Sequence, residues 1–292
     1  MRIALLGAAF SVGGAHPGCR LGPQVFYKRE YRKLHRRLPL RMRWAGQVRE
    51  SDYGLQRYPE GAHVVLDSVR RLKHRVRQLR QSGVLPVIIG GDHSCAIGTW
   101  SGVAAASRQA TGLLWIDAHM DSHTPETSET MRLHGMPLAA LLGEGDSRFT
   151  QLSGRLSAID PRYCAVVGAR SFEKDESLRL KRLGIRIYTR DDILRRGLPA
   201  VLAEAWRHVA KAPGGYGVSL DLDVLDPMLA PGVSVPEANG LHPRKLARLL
   251  RQQPSKHRLR ALEIVEFNPR RDSRGQTRQL LPSLLRALLE SR

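Results

Sequence analysis

Three short segments of the 292-residue chain concentrate carboxylates and imidazoles. They are Gly90-Gly91-Asp92-His93-Ser94, Asp117-Ala118-His119-Met120-Asp121 and Asp221-Leu222-Asp223, the last lying within Ser219 to Pro227. Residues two apart in an extended chain point the same way, which places Asp117, His119 and Asp121 on one face and Asp221 with Asp223 on another. With His93 the set holds four carboxylates and two imidazoles. Four carboxylates gathered without counter-charge repel and raise one another's pKa values. Two divalent cations balance them, and neutral imidazoles complete the shells. An oxygen-rich set with some imidazole and no thiolate suits Mn²⁺ better than structural zinc. Two adjacent metals can share one water, lower its pKa and offer hydroxide to an electrophile. Any one of these residues alone reads as a helix cap or a loop turn. All six, in three motifs, favour a metal centre.

The elements that must position them are legible as short apolar runs: Ile3 to Leu6, Val84 to Ile89, Leu113 to Ile116, Cys164 to Val167, Ile185 to Tyr188, Gly217 to Leu220 and Leu262 to Val265. Each reads as a buried strand, and the three acidic segments directly follow strands. The clearest helix spans Gly61 to Gln81, where Val65, Val69, Leu72, Val76 and Leu79 recur at intervals of four and three. Its other faces carry Arg70, Arg71, Lys73, Arg75, Arg77 and Arg80, read as a solvated surface. Strands alternating with helices imply crossovers and a mainly parallel sheet covered on both faces. Ligand sites of such sheets form beyond the carboxyl ends of the strands, where all three segments fall. No repeat, low-complexity linker or shift of composition marks a second domain, so one domain over 1–292 is expected.

Composition narrows the class. The chain is 42% hydrophobic and 25% charged, as in ordinary globular proteins. Cys19, Cys95 and Cys164 are scattered and odd in number, which argues for a reducing, cytoplasmic setting rather than a disulfide scaffold or zinc finger. No apolar run reaches the length of a membrane span. Met1 to Phe10 imitates the start of a signal peptide, but its apolar stretch is very short, and a buried first strand is expected instead. The unusual global feature is 47 Lys+Arg against 27 Asp+Glu, a net charge of +20.

Together the three segments resemble, in order and spacing, the metal signatures of the arginase, agmatinase and formimidoylglutamase family, the ureohydrolases. The resemblance covers almost the whole chain and is nearest to bacterial arginases. It implies a single three-layer α/β/α domain with a mainly parallel sheet, and two Mn²⁺ per subunit. His93, Asp117, Asp121 and Asp221 would hold one ion; His119, Asp117, Asp221 and Asp223 would hold the other. His134, in Leu133-His134-Gly135-Met136-Pro137, matches the family's proton-shuttling histidine. Glu266, in Val265-Glu266-Phe267-Asn268-Pro269, matches the glutamate that anchors the guanidinium, a planar cation that a carboxylate binds with paired hydrogen bonds. The implied reaction is attack of metal-bridging hydroxide on the guanidinium carbon, with Asp121 passing a proton to the leaving amine and His134 exchanging protons with solvent. Trimers or hexamers are common in the family, so a homo-oligomer is expected.

The loop from Asp121 to His134 is similar to arginases, and the tail after Glu266 also to formimidoylglutamases. Departures bear on substrate. Where arginases read the α-carboxylate with Asn and Ser, this chain has His123 and Thr130, and Thr130-Met131-Arg132 replaces a small neutral triplet. Glu173 stands where an Asp near the α-amino group is usual. Arg132 could bind a carboxylate directly, or the α-end of the pocket has been opened for a larger substrate. Free L-arginine is preferred; another guanidino or formimino compound and arginine within a peptide remain alternatives. The non-enzyme alternative is a nucleic-acid-binding protein. It rests on Lys28, Arg29, Arg32, Lys33, Arg36, Arg37, Arg41 and Arg43, with Tyr27 and Tyr31 nearby. No nucleic-acid motif accompanies them, and such binding is not expected.

Overall fold

Alternation of side chains between two apolar layers makes the short hydrophobic runs into strands. In Arg2–Ala9 (β1), Ile3 and Leu5 enter one core while Ala4, Leu6 and Ala8 enter the other. The other strands are Arg41–Arg49 (β2), Val84–Gly90 (β3), Gly112–Ile116 (β4), Cys164–Ala169 (β5), Arg186–Thr189 (β6), Tyr216–Asp221 (β7) and Leu259–Val265 (β8). In this computed structural model, which describes residues 1–290 except 39, 52–53, 253 and 255, they form one parallel sheet in the order β2-β1-β3-β8-β7-β4-β5-β6. Helices cover both faces, completing three α/β/α layers. One face carries Ala62–Gln81 and Cys95–Ala105; the other carries Leu198–Val209, Pro243–Leu250 and Gln276–Leu289.

The expected helix begins at Ala62, one residue late, with Gly61 as its cap. Val65, Val69, Leu72, Val76 and Leu79 are all buried. Each such side chain contributes roughly 1.5–3 kcal/mol. Of the basic face, Arg70, Arg71 and Arg77 are exposed; Arg71 pairs with Asp67 at 2.7 Å, while Arg75 donates to the carbonyl of Ala45 at 2.7 Å.

All seven expected strands are present, with ends displaced by a few residues. β2 was not anticipated, because its alternation is written in arginine: Arg41, Arg43 and Arg49 face solvent while Met42 and Val48 are buried. It is an edge strand, and charge on an edge discourages pairing with other chains. The basic stretch 28–43 is therefore folded structure: it runs through a π-helical turn, Tyr27–Tyr31, and a helix, Arg32–Arg37, into β2. Tyr27 and Tyr31 pack on Trp44, with ring centroids 4.8 and 6.2 Å away. The three cysteines are free and buried, and no helix is long and apolar enough to cross a membrane among the described residues.

The chain leaves β2 through Glu50, which is buried and accepts hydrogen bonds from the Ser11 and Val12 amides at 2.7 and 3.1 Å. Burial, with the nearby charge of Asp92, pushes this carboxyl up to about 9 from 4.5. A raised folded-state value makes its stabilising contribution complete below the unfolded value and lost as pH rises through the folded one. Glu50→Gln keeps an acceptor and removes the titration. Wild-type stability should therefore fall relative to the variant between pH 4.5 and 9, followed by denaturant unfolding. Parallel pH curves would refute it.

Candidate active site

Four adjacent strands in the middle of the sheet, β3, β8, β7 and β4, end at one place. Neighbouring parallel strands lie about 4.8 Å apart, so residues just past their carboxyl ends meet. β3 delivers His93, β4 delivers Asp117, His119 and Asp121, β7 delivers Asp221 and Asp223, and β8 delivers Glu266. The turn after β3 crosses Phe10 so closely that a Cβ on Gly91 would stand 2.0 Å from its carbonyl oxygen. Gly91 and Asp92 amides bond to Ala8 and Phe10 carbonyls, anchoring the loop that bears His93.

His93 is buried and its ring stacks on Trp115, centroids 4.1 Å apart at 9°. Its Nδ1 lies 3.1, 2.9 and 3.1 Å from Oδ2 of Asp117, Asp121 and Asp221. It nevertheless makes no hydrogen bond of acceptable angle with any of them. His119 Nδ1 lies 3.1 Å from Asp223 and 3.6 Å from Asp117. His93, Asp117 and Asp121 form one group whose donor atoms a single ion could reach, and Asp117, His119 and Asp223 form another. Burial, with the charges of Asp223 and Asp117, pushes Asp221 well above the ordinary carboxylate range. Burial alone would depress the His93 pKa, but Asp117, Asp121 and Asp221 outweigh it and raise the value.

The route by which these side chains converge differs from the expectation. Neither acidic segment is extended. Asp121 has φ +48°, and Asp221 caps the short 3₁₀ turn Leu222–Val224 by accepting the Asp223 amide at 2.8 Å. Asp117 likewise accepts the His119 amide at 2.8 Å. Side-chain-to-backbone bonds bend the chain, so that Asp117 and Asp121 reach His93 while His119 turns toward Asp223.

Glu266, at φ +63°, accepts the His93 amide on Oε1 at 2.9 Å and the Cys19 thiol on Oε2 at 3.3 Å. Its Oε1 is 3.2 Å from His134 Nδ1. Burial works against ionisation of Glu266, but His134 and the His93 amide hold its pKa below the usual range. A pocket of about 280 Å³ opens over this floor, and Asp121, His123, Thr130, Arg132, His134 and Glu173 all line it. His123 Nε2 is 2.9 Å from Glu173, and Arg132 donates to the Gly14 carbonyl at 2.5 Å. Every residue singled out from the sequence thus borders the pocket or its floor. Glu176, Glu237, Ser219 and Glu263 were missed. Glu176 was legible as the third residue of a capping box begun by Glu173; it accepts the Ser122 amide, and burial pushes it up to about 8. Glu237 carries no local signal, being a single acid in a loop.

A parallel α/β/α sheet with carboxylates and imidazoles converging beyond its central strands has the form of a metal-binding hydrolase. The Arginase family model matches residues 1–290. Arginase of Bacillus caldovelox is 38% identical over 224 residues, covering 77% of this chain and 75% of that protein. Arginase of Agrobacterium fabrum is 30% identical over 99% of this chain and 90% of its own. The crystal structure of the Bacillus caldovelox arginase superposes with a TM-score of 0.92 at 32% identity, covering 100% of this chain and 99% of that one. The chain belongs to the arginase family, and it is a ureohydrolase.

Proposed function

We propose that this ureohydrolase acts on the guanidino group of free L-arginine, giving L-ornithine and urea, with two Mn²⁺ per subunit. The observation that carries the reading is His93 Nδ1, enclosed by three carboxylate oxygens at 2.9–3.1 Å and bonded to none. That donor set fits a shared cation. His93, Asp117, Asp121 and Asp221 would hold one ion, and His119, Asp117, Asp221 and Asp223 the other. When bound, the pair supplies Lewis acidity and lowers the pKa of water at the site.

The chain's own groups supply the rest. Glu266 anchors the guanidinium from the floor of the pocket, a planar cation against a buried carboxylate. Asp121 passes a proton to the leaving amine. His134, 17% exposed beside Glu266, exchanges protons with solvent. At the mouth, Arg132, with Thr130 and His123, takes the α-carboxylate, and Glu173 stands near the α-amino group. The same reading treats 1–292 as one cytoplasmic domain in a trimer or hexamer, with neither membrane nor nucleic acid as partner. One continuous sheet and three buried free thiols support the first two parts.

A second reading takes agmatine, another guanidino or formimino compound, or peptide-bound arginine as substrate. It draws on the His123–Glu173 pair, in which a group expected at the α-carboxylate and the one expected at the α-amino group engage each other. Urea release measured across L-arginine, agmatine, guanidino acids and an arginine peptide separates the two, with formamide release from formimidoylglutamate as a further arm. L-Arginine should give the highest kcat/KM, and product from none of them overturns both readings. His134→Asn should lower turnover about 10²-fold, the lower end for a lost acid–base group, with Mn²⁺ content unchanged by elemental analysis. Normal turnover would remove His134 from this role.

A further inference from the structure

The two imidazoles of the centre are held from behind in different ways. His93 Nε2 lies 2.8 Å from the Ser219 hydroxyl, and both residues are buried. Ser219 lies on β7 beside the fully buried Glu263 of β8, whose carboxylate accepts from Trp100 Nε1, so this ring is fixed from the interior of the sheet. His119 has no such support from the core, and its side chain is 23% exposed. What its Nε2 faces is Glu237 Oε1, at 3.4 Å, on the wall of the pocket.

The loop that carries Glu237 is fastened to the segment that carries Asp223. Arg170 donates to the carbonyls of Glu237 and Asp223 at 3.0 and 2.8 Å, and to that of Ala238 at 2.7 Å. One guanidinium therefore sets the distance between the carboxylate behind His119 and the carboxylate in front of it. Imidazoles that ligate metals generally donate their outer N–H to a carboxylate, carbonyl or water, which selects the tautomer and the ring orientation.

We propose that Glu237 is the positioning residue for His119: it holds the proton on Nε2, leaving Nδ1 free on the side of Asp117 and Asp223 for a divalent cation. The two metal positions are then unequal. The His93 position is secured by buried groups, and the His119 position depends on a single side chain at the pocket wall. The inference rests on the two-metal reading above.

Calorimetric titration of the metal-free protein with Mn²⁺ tests it in wild type, Glu237→Gln and Glu237→Ala. The Arg170 clamp uses the backbone carbonyl of residue 237 and survives in each variant. Wild type should take two ions. Glu237→Ala should weaken one of them by about 10–100-fold and leave the other unchanged. Glu237→Gln should fall between, since an amide oxygen still accepts the Nε2–H without the charge. Two unchanged affinities in Glu237→Ala would overturn the proposal, as would equal weakening of both sites or a lowered Tm of the metal-free variant. Fewer than two ions in wild type would overturn the two-metal reading and this inference with it.

Discussion

Glu266→Gln is expected to cut kcat/KM for urea release about 10³-fold while the protein still folds. The carboxylate is 2% exposed, with one oxygen taken by the His93 amide and the other by the Cys19 thiol. Glutamine has the same shape but replaces one acceptor with a donor, and it loses the charge that a guanidinium needs. A hydrogen bond to a charged group contributes about 1.5–3 kcal/mol, so losing a pair costs about 3–6 kcal/mol. At about 1.4 kcal/mol per tenfold, that corresponds to 10²- to 10⁴-fold. Binding is lost in the ground state as well as in the transition state, so KM should rise along with a fall in kcat. Steady-state kinetics on L-arginine, with Mn²⁺ content and Tm as controls, measure this. A variant with near-wild-type kcat/KM would place the guanidinium elsewhere in the pocket.

Stripping divalent cations is expected to abolish turnover and to lower Tm by about 10 °C, both restored by Mn²⁺. Asp117, Asp121, Asp221 and Asp223 are 0, 7, 2 and 3% exposed, so without cations four acids sit close together out of water. A ligand bound only by the folded state stabilises it by about 4 kcal/mol at a thousandfold excess over its Kd. For a chain of this size each kcal/mol moves Tm by roughly 2–4 °C. Thermal unfolding and urea release after exhaustive chelation, with and without added Mn²⁺, provide the measurement. Full activity of the chelated protein would remove the metals from the reaction.

Much of the site was legible because its residues cluster in short local motifs. His93, the 117–121 segment and Asp221 with Asp223 stood out by type and spacing, and His134 and Glu266 by resemblance to a family. The stated reason for their convergence was nevertheless incorrect. An extended chain would point Asp117, His119 and Asp121 in one direction, whereas bonds to the His119 and Asp223 amides bend both segments. Strand β2 escaped notice because arginines occupy its exposed positions, and an edge strand needs only part of the apolar pattern of a central one.

By itself the sequence picked out the cluster of carboxylates and imidazoles, the long helix with its buried stripe, and seven of the eight strands among the described residues, because hydrophobic period and residue type are local properties. Only the tertiary structure decided which strands are neighbours. β3, β8, β7 and β4 lie side by side although up to 175 residues separate the starts of adjacent ones: β3 begins at 84 and its neighbour β8 at 259. That order, set by long crossovers packing against both faces of the sheet, joins residues 93, 117–121, 221–223 and 266. It also brings Glu237 behind His119, a contact that depends on how Arg170 ties two loops together. No local pattern encodes it.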